Sequence, residues 1–372
     1  MMSELTLTSK IKINPTDEEK GKLISTVRAI KKGLNYTSGV VYQTGELVQA
    51  KLHEKTYLPL RKDYGLKSQM AQSVMKTVIS KYKSMQSNGI KDTKAVFKKP
   101  EYDLVWNRDY SLVKGLFSLN TLYGRIKVSA KTDGMERFFD GSWSFGTAKL
   151  VFKKNKFYLH IPMTTEIPDV DETAIRNVVG VDLGLNFLAV TFDSKDKTLF
   201  FSGKTIKNKR GHYKKLRQNL QKRQTPSSRR RLKRIGSREN RWITDMNHCV
   251  SKALVAHAGE GSLIVLEDLD GVRNATENVR KKDRYVSVSW AYAQLRAMID
   301  YKAKQQNAKM ILVDPKYTSQ QCPKCGHTEK GNRDKKRHLF QCKTCEYRSN
   351  DDRIGAMNLR AKGIQYLSEV SV

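Results

Sequence analysis

Three acidic positions at the edges of apolar runs could carry chemistry in this chain. Asp182 closes Val178-Val179-Gly180-Val181, Glu267 closes Leu263-Ile264-Val265-Leu266, and Asp352 follows Asn350-Asp351 at the head of a helix-like run. Phosphodiester hydrolysis by two divalent cations needs carboxylates that converge from separate elements. Each ion must be held by hard oxygens while keeping positions open for phosphate and water. Asp182 suits the bridging role on a first strand, and Gly184 beyond it lets the backbone turn and a phosphate approach. Glu267 suits a neighbouring strand, where period-two alternation turns Asp268 the other way. Asp352 gains positive potential from a helix N-terminus. Its neighbour Asp351 is expected to serve as the N-cap, and Asp270 is a further acid close by. Magnesium, as two ions, is the expected catalytic cofactor. Clustered acids repel, so at least one should hold its proton more tightly when no cation is bound, and the group should titrate as a coupled set.

A second constellation lies between the last two acids. Cys322-Pro-Lys-Cys325 and Cys342-Lys-Thr-Cys345 are separated by sixteen residues, and Gly326 follows the first pair. Each CxxC forms a tight knuckle that delivers two thiolates, so the spacing is that of a zinc ribbon with a closed, structural tetrahedron. His327 and His338 are not needed to complete that shell. Cys249 stands apart. Four cysteines so arranged point to metal binding in a reducing compartment rather than to disulfides.

The charge names a partner class. Seventy Lys and Arg against 37 Asp and Glu give a formal net charge of +33 over 372 residues. Self-repulsion of that size opposes compaction unless a polyanion offsets it, and nucleic acid is the expected one. From Lys204 to Arg241 there are sixteen cationic residues and one acid, Glu239. The expected phosphate contacts are Lys204, Lys207, Lys209, Arg210, Lys214, Lys215, Arg217, Lys222, Arg223, Arg229, Arg230, Arg231, Lys233 and Arg234. Such contacts position a duplex without reading its sequence and make affinity steeply salt-dependent. No apolar run approaches the length of a membrane span, and the first residues lack the layout of a signal peptide, so the cytoplasm is the expected location.

The elements that must position these groups follow from periodicity. Leu5, Leu7, Ile11 and Ile13 suggest a strand ending at Asn14-Pro15, after which Thr16 and Glu19 form a capping box. Helical spacing then runs to about residue 85. Strands are expected from about 100 to 165, with alternation over Thr121–Val128 and a hairpin joining 148–153 to 156–161. Residues 167–171 resemble a linker. Strands are expected at 177–182, 187–192 and 198–202, then at 262–266, a helix from Trp290 to Gln305, a strand at 309–314, and a final helix after Asp351. Three strands followed by strand, helix, strand, helix is the order of a ribonuclease-H-like domain. The fold expected is α+β and multidomain. A small β-rich N-terminal domain (1–15 and 86–167) carries a helical insertion (16–85), and a C-terminal ribonuclease-H-like α/β domain (172–318 and 350–372) carries a zinc-ribbon insert (319–349).

The runs ValValGlyValAspLeuGlyLeuAsn, LeuIleValLeuGluAspLeu, ValAspProLysTyrThrSerGlnGlnCysProLysCysGly and SerAsnAspAspArgIleGlyAlaMetAsnLeu, with the basic bridge between the first two, closely resemble the TnpB family. These are transposon-encoded RuvC-type nucleases related to type V CRISPR effectors. The likeness is strongest over 172–372; the N-terminal half is similar only in layout, which implies a wedge-like β-barrel domain interrupted by helices. The resemblance implies an RNA-guided DNA endonuclease. It would hold a guide RNA from the transposon end, recognise a short adjacent motif in double-stranded target DNA, and cut with Asp182, Glu267 and Asp352. Heteroduplex shape, rather than base sequence, would then be what most of the protein recognises. Reading of the adjacent motif is expected from Lys67, Ser68, Gln69, Gln72 and Lys76, a polar helix face suited to base edges. Two other readings compete: a guided binder that represses without cutting, and a transposase or resolvase that needs no guide.

Overall fold

The computed structural model describes residues 2–90, 92–99, 101–268 and 291–370; the expected positions Asp270 and Trp290 lie outside them. Two compact units result, Glu4–Glu166 and, in the main, residues 167–370.

The first unit opens with β1 (Met2–Asn14). Three helices follow, α1 (Asp17–Thr44), α2 (Gln49–Lys62) and α3 (Ser68–Ser87). The expected capping box starts α1: Thr16 Oγ1 accepts from the Glu19 amide at 3.3 Å, and Glu19 Oε2 accepts from the Thr16 amide at 2.8 Å. Seven further strands follow: β2 (Glu101–Leu104), β3 (Tyr110–Val113), β4 (Leu116–Thr121), β5 (Gly124–Lys131), β6 (Ser144–Phe145), β7 (Ala148–Lys153) and β8 (Lys156–Pro168). They join β1 in the order β2-β7-β8-β1-β5-β4-β3, with β6 on β8. The strands at the two ends of this path, β2 and β3, are consecutive in sequence and joined by a tight turn closed by Asp109 N donating to Val105 O at 2.8 Å. The sheet therefore almost meets itself, as a barrel does. Helices and strands share one core, in which Leu23, Val27, Met70 and Val74 pack with Ile11, Tyr102 and Phe117.

One strand differs from expectation. Thr121–Val128 is not continuous, because the chain reverses at Leu122-Tyr123. The Thr121 hydroxyl donates to Gly124 O at 2.7 Å and accepts from the Tyr123 amide at 3.1 Å. A local hydroxyl bond of this kind offers the backbone a turn instead of a ladder.

The second unit holds β9 (Asn177–Asp182), β10 (Phe187–Phe192) and β11 (Thr198–Ser202), followed by α4 (Lys204–Arg223), α5 (Pro226–Ile235) and α6 (Arg238–Ala258). Then come β12 (Ser262–Glu267), α7 (Tyr292–Gln305) and β13 (Lys309–Val313). A small three-stranded sheet, β14 (Arg333–Asp334), β15 (Leu339–Gln341) and β16 (Arg348–Asn350), leads into α8 (Asp351–Val370). The five-stranded sheet runs β11-β10-β9-β12-β13. β10 is antiparallel to β9 and β11, while β12 is parallel to β9 and β13. Alternation assigns its two faces. Val179, Val181, Ile264 and Leu266 pack against Val250 and Leu254 of α6 and Leu295 and Ile299 of α7. Val178, Leu263 and Val265 pack against Leu359 of α8. Gly180, on the α8 side, is where that helix crosses: a Cβ there would collide with the Ala356 carbonyl and the Arg360 amide.

Candidate active site and cysteine cluster

Alternation along β9 and β12 puts Asp182 on the face of Val178 and Gly180, and Glu267 on the face of Leu263 and Val265. Both are on the α8 side. Leu266 pairs with Val181 across the parallel ladder, so the next residues, Glu267 and Asp182, lie side by side at the same strand ends. Adjacent strands are spaced about 4.8 Å apart, close enough for two carboxylates to share ions. Asp182 also lies against α8, since a Cβ on Gly355 would be 3.0 Å from its Oδ2 and 3.1 Å from its Cγ. Asp352, three residues before Gly355, completes the convergence from the helix head. Asp268 points away, is 47 % exposed and faces Arg296 at 3.5 Å.

The cluster perturbs its own members. Removal from water, then the charges of Glu267 and Asp352, hold the Asp182 carboxyl well above its usual range. Burial raises Glu267, opposed by the Thr318 hydroxyl, which donates to its Oε1 at 2.5 Å. Burial and Asp351 raise Asp352, with Arg333 acting against them. These are the shifts that burial and the crowding of like charges produce.

Asp351 has a different place from the one anticipated. The cap of α8 is Asn350, whose Oδ1 accepts from the Asp352 amide at 3.1 Å and the Arg353 amide at 3.2 Å. Asp351 is fully buried and bonded through Oδ2 to Arg333 Nε at 2.8 Å, with His338 Nδ1 3.4 Å from its Oδ1. Arg333 Nη2 also reaches to 3.6 Å from Asp352. His338, Asp351 and Asp352 bring donor atoms within 4.8 Å of one another. His338 in turn meets the Asn186 amide, whose oxygen accepts from Lys207 of α4. The sequence alone sets His338 aside as unneeded for the zinc shell and assigns Arg333 no part in the acid cluster. The one cue was that both precede the acids within the cysteine segment.

The four cysteine sulfurs lie within 4.8 Å of one another, with Cys322 to Cys345 at 3.6 Å and Cys325 to Cys342 at 3.5 Å. A disulfide would need about 2.05 Å. A zinc bound to four thiolates at about 2.3 Å sets sulfur pairs nearly 3.8 Å apart, so the donor set and its spacing fit that ion. Backbone amides of Cys345 and Thr344, 3.5 and 3.4 Å from Cys342 Sγ, hold that thiol down to about 6, ready as a thiolate ligand.

The basic tract divides in two. Lys204, Lys209, Lys215, Lys222, Arg223, Arg229, Arg230, Arg231, Lys233 and Arg234 are exposed, and Lys207 and Lys214 are half-buried. Arg210 and Arg217 instead turn inward to the buried Glu239, so they hold α4 to α6 rather than face a partner. The reason is that the tract's single acid, once buried, requires compensation. Lys209, Arg230, Arg231 and Arg234 line a cationic groove of about 800 Å³ between α4 and α5.

In the first unit, Gln69, Gln72 and Lys76 line a groove of about 640 Å³ along α3, facing Arg108 and Lys149. Lys67 and Ser68 are engaged within the protein, by Asn120 Oδ1 at 3.3 Å and the Tyr57 hydroxyl at 3.0 Å. Among the described residues no helix is long and apolar enough to cross a membrane.

Residues 292–359 match the family model "Cas12f1-like, TNB domain", and residues 160–278 match the OrfB_IS605 model, described as "Probable transposase". A CRISPR-associated endodeoxyribonuclease Cas12f1 of Sulfoacidibacillus thermotolerans is 28% identical over 254 residues, 64% of this chain and 58% of the relative. A TnpB-like protein of Methanocaldococcus jannaschii is 24% identical over 64% of this chain and 86% of the relative. The chain thus spans little more than half the length of the Cas12f1 relative. Among solved structures, a Cas12f1–sgRNA–target DNA complex superposes with a TM-score of 0.56 at 13% identity, covering 96% of this chain and 99% of that one. The mini-RNA-guided endonuclease CRISPR-Cas_phi3 gives a TM-score of 0.51 at 10% identity, covering 96% of this chain and 92% of that one. The fold is therefore the mixed α/β, multidomain fold of these effectors, and residues 160–278 and 292–359 are similar to the OrfB_IS605 and Cas12f1-like TNB models.

Proposed function

We propose that the chain is an RNA-guided DNA endonuclease of transposon origin, with a RuvC-type site built from Asp182, Glu267 and Asp352. The observation that carries this reading is the convergence of Asp182 and Glu267, on paired parallel strands, with the head of α8. Sheet order β11-β10-β9-β12-β13 with helices on both faces is the ribonuclease-H arrangement, which supports the same assignment. Two magnesium ions held there would activate the attacking water and stabilise the leaving oxygen. Asp182, Glu267 and Asp352 would hold the ions, with Asp182 in the bridging role and the other two acids at the flanks, and Asp351 with Arg333 fixes the helix head that presents Asp352. The four cysteines hold a structural zinc.

The relatives' names and the charge support guide RNA and double-stranded target DNA as partners. The exposed cations of α4 and α5 serve the phosphate backbone, and Gln69, Gln72 and Lys76 along α3 serve the adjacent motif. In this reading residues 16–85 act as a recognition insertion in a wedge-like domain (1–15 and 86–167), and residues 319–349 as a zinc-bearing insert in the nuclease domain. Purifying the full chain with its co-expressed transposon end and sequencing the bound RNA tests the proposal. A DNA matching that RNA should be cut only with both RNA and Mg²⁺ present. Cutting at equal rate without RNA would favour a resolvase, and guided binding without cutting would favour a repressor.

A further inference from the structure

The segment between β13 and the first cysteine knuckle sits against the candidate site, and none of the assignments above uses it. After β13 the chain passes Asp314-Pro315-Lys316, and Tyr317 adopts φ +66°, a left-handed turn that brings Thr318 back toward the end of β12. Thr318 is 2 % exposed. Its hydroxyl lies 2.5 Å from Glu267 Oε1 and 2.9 Å from Pro315 O. One proton serves only one acceptor at a time, and the shorter, charge-assisted contact to the carboxylate is the stronger.

The loop is itself tied down from α8. Asn358, 5 % exposed, donates from Nδ2 to Thr318 O at 2.6 Å and to Gln321 O at 2.8 Å. Asp352 and Asn358 lie on the same helix, so the element that carries one acid also fixes the loop that steadies another.

We propose that Thr318 is a positioning residue for Glu267, and that Asn358 locks Thr318 to α8 so that Glu267 and Asp352 keep one spacing. Thr318 claims Oε1 and leaves Oε2 for the cation side. A carboxylate without that bond would rotate about its terminal torsion, which is broad and only weakly restrained. The proposal rests on the two-cation reading of the site.

Mn²⁺ titration followed by EPR, on the full chain without nucleic acid, tests it. Thr318→Val keeps the shape and removes the hydroxyl; Thr318→Ser keeps the hydroxyl. Loss of an outer hydrogen bond to a metal ligand costs about 10–100-fold in affinity. Thr318→Val should therefore raise the Mn²⁺ midpoint by at least about 10-fold and lower kcat of the guided complex while leaving KM for DNA unchanged, and Thr318→Ser should stay within about threefold of wild type. In a Glu267→Gln background Thr318→Val should have no further effect on Mn²⁺ binding. Should Thr318→Val fail to fold, Thr318→Cys, of like size but a weak donor, takes its place. Unchanged Mn²⁺ binding in the hydroxyl-free variant, or additive effects in the double variant, would overturn the positioning role. Wild-type Mn²⁺ binding by Glu267→Gln alone would instead overturn the two-cation reading.

Discussion

Gly180→Ala should push α8 off β9. A Cβ at Gly180 would overlap the Ala356 carbonyl oxygen and the Arg360 amide nitrogen and lie 3.1 Å from the Ala356 carbonyl carbon. All three are helix backbone, so no rotamer change relieves them. Non-bonded heavy atoms settle at about 3.5–4.0 Å, so the helix and strand must part by on the order of 1 Å. Overpacking a core costs about 1–3 kcal/mol where side chains can give way. With backbone on both sides the cost should reach about 3 kcal/mol or more. The same movement separates Asp352 on α8 from Asp182 on β9, and about 1 Å of misplacement can cost ~10²-fold in rate. Urea unfolding and guided cleavage measure the two effects. Gly211→Ala is the control: it lies in α4 with nothing within 4 Å of the added Cβ and should stabilise by about 0.5–1 kcal/mol. Wild-type stability and cleavage in Gly180→Ala would refute the reasoning that close contact of α8 on β9 sets the site.

Other outcomes follow from the same physics. Glu239→Gln should cost about 3–5 kcal/mol in urea unfolding, because Arg210 and Arg217 lose their buried partner. Arg230→Gln and Arg231→Gln, on the exposed side of α5, should leave stability unchanged and each flatten the salt dependence of nucleic-acid binding by about 0.9 in log–log slope. Asp182 has a folded-state pKa raised above its ordinary 3.8, so its contribution to stability without cations is full below that value and is lost as pH rises through the raised one. Above the ordinary carboxylate range, Asp182→Asn should therefore stabilise the chain in chelator, and Mg²⁺ should raise Tm of the wild type but not of the variant. Cys322→Ser should remove the metal detected by elemental analysis, expected at one zinc per chain, and lower Tm.

How far the sequence reaches depends on the range of the interaction. The strands β9, β10 and β11, and the hairpin of 148–153 with 156–161, form where alternation and turn residues put them, because both signals are local, while β8 runs on to Pro168, into the segment expected to be a linker. The face shared by Asp182 and Glu267 was readable for the same reason: a period of two leaves one choice once Val179 and Leu266 are core. Long-range partners were not readable. Nothing within a few residues of Arg210 says that Glu239, almost thirty residues on, will be buried beneath it, although a lone acid among sixteen cations was a usable cue. Asn350 displaced Asp351 as the cap because it precedes the helix by the right offset, while Asp351 found Arg333 through the folding of the cysteine segment. Thr318 escaped notice because its partners, Glu267 and Asn358, come together only when β12, the loop after β13 and α8 are assembled.

Anomalous scattering from crystals of the full chain grown with Mn²⁺ tests the central claim most directly. The account predicts two peaks about 3.5–4 Å apart, bridged by Asp182 and flanked by Glu267 and Asp352. Mn²⁺ bound elsewhere, with those three carboxylates touching none of it, would contradict the account.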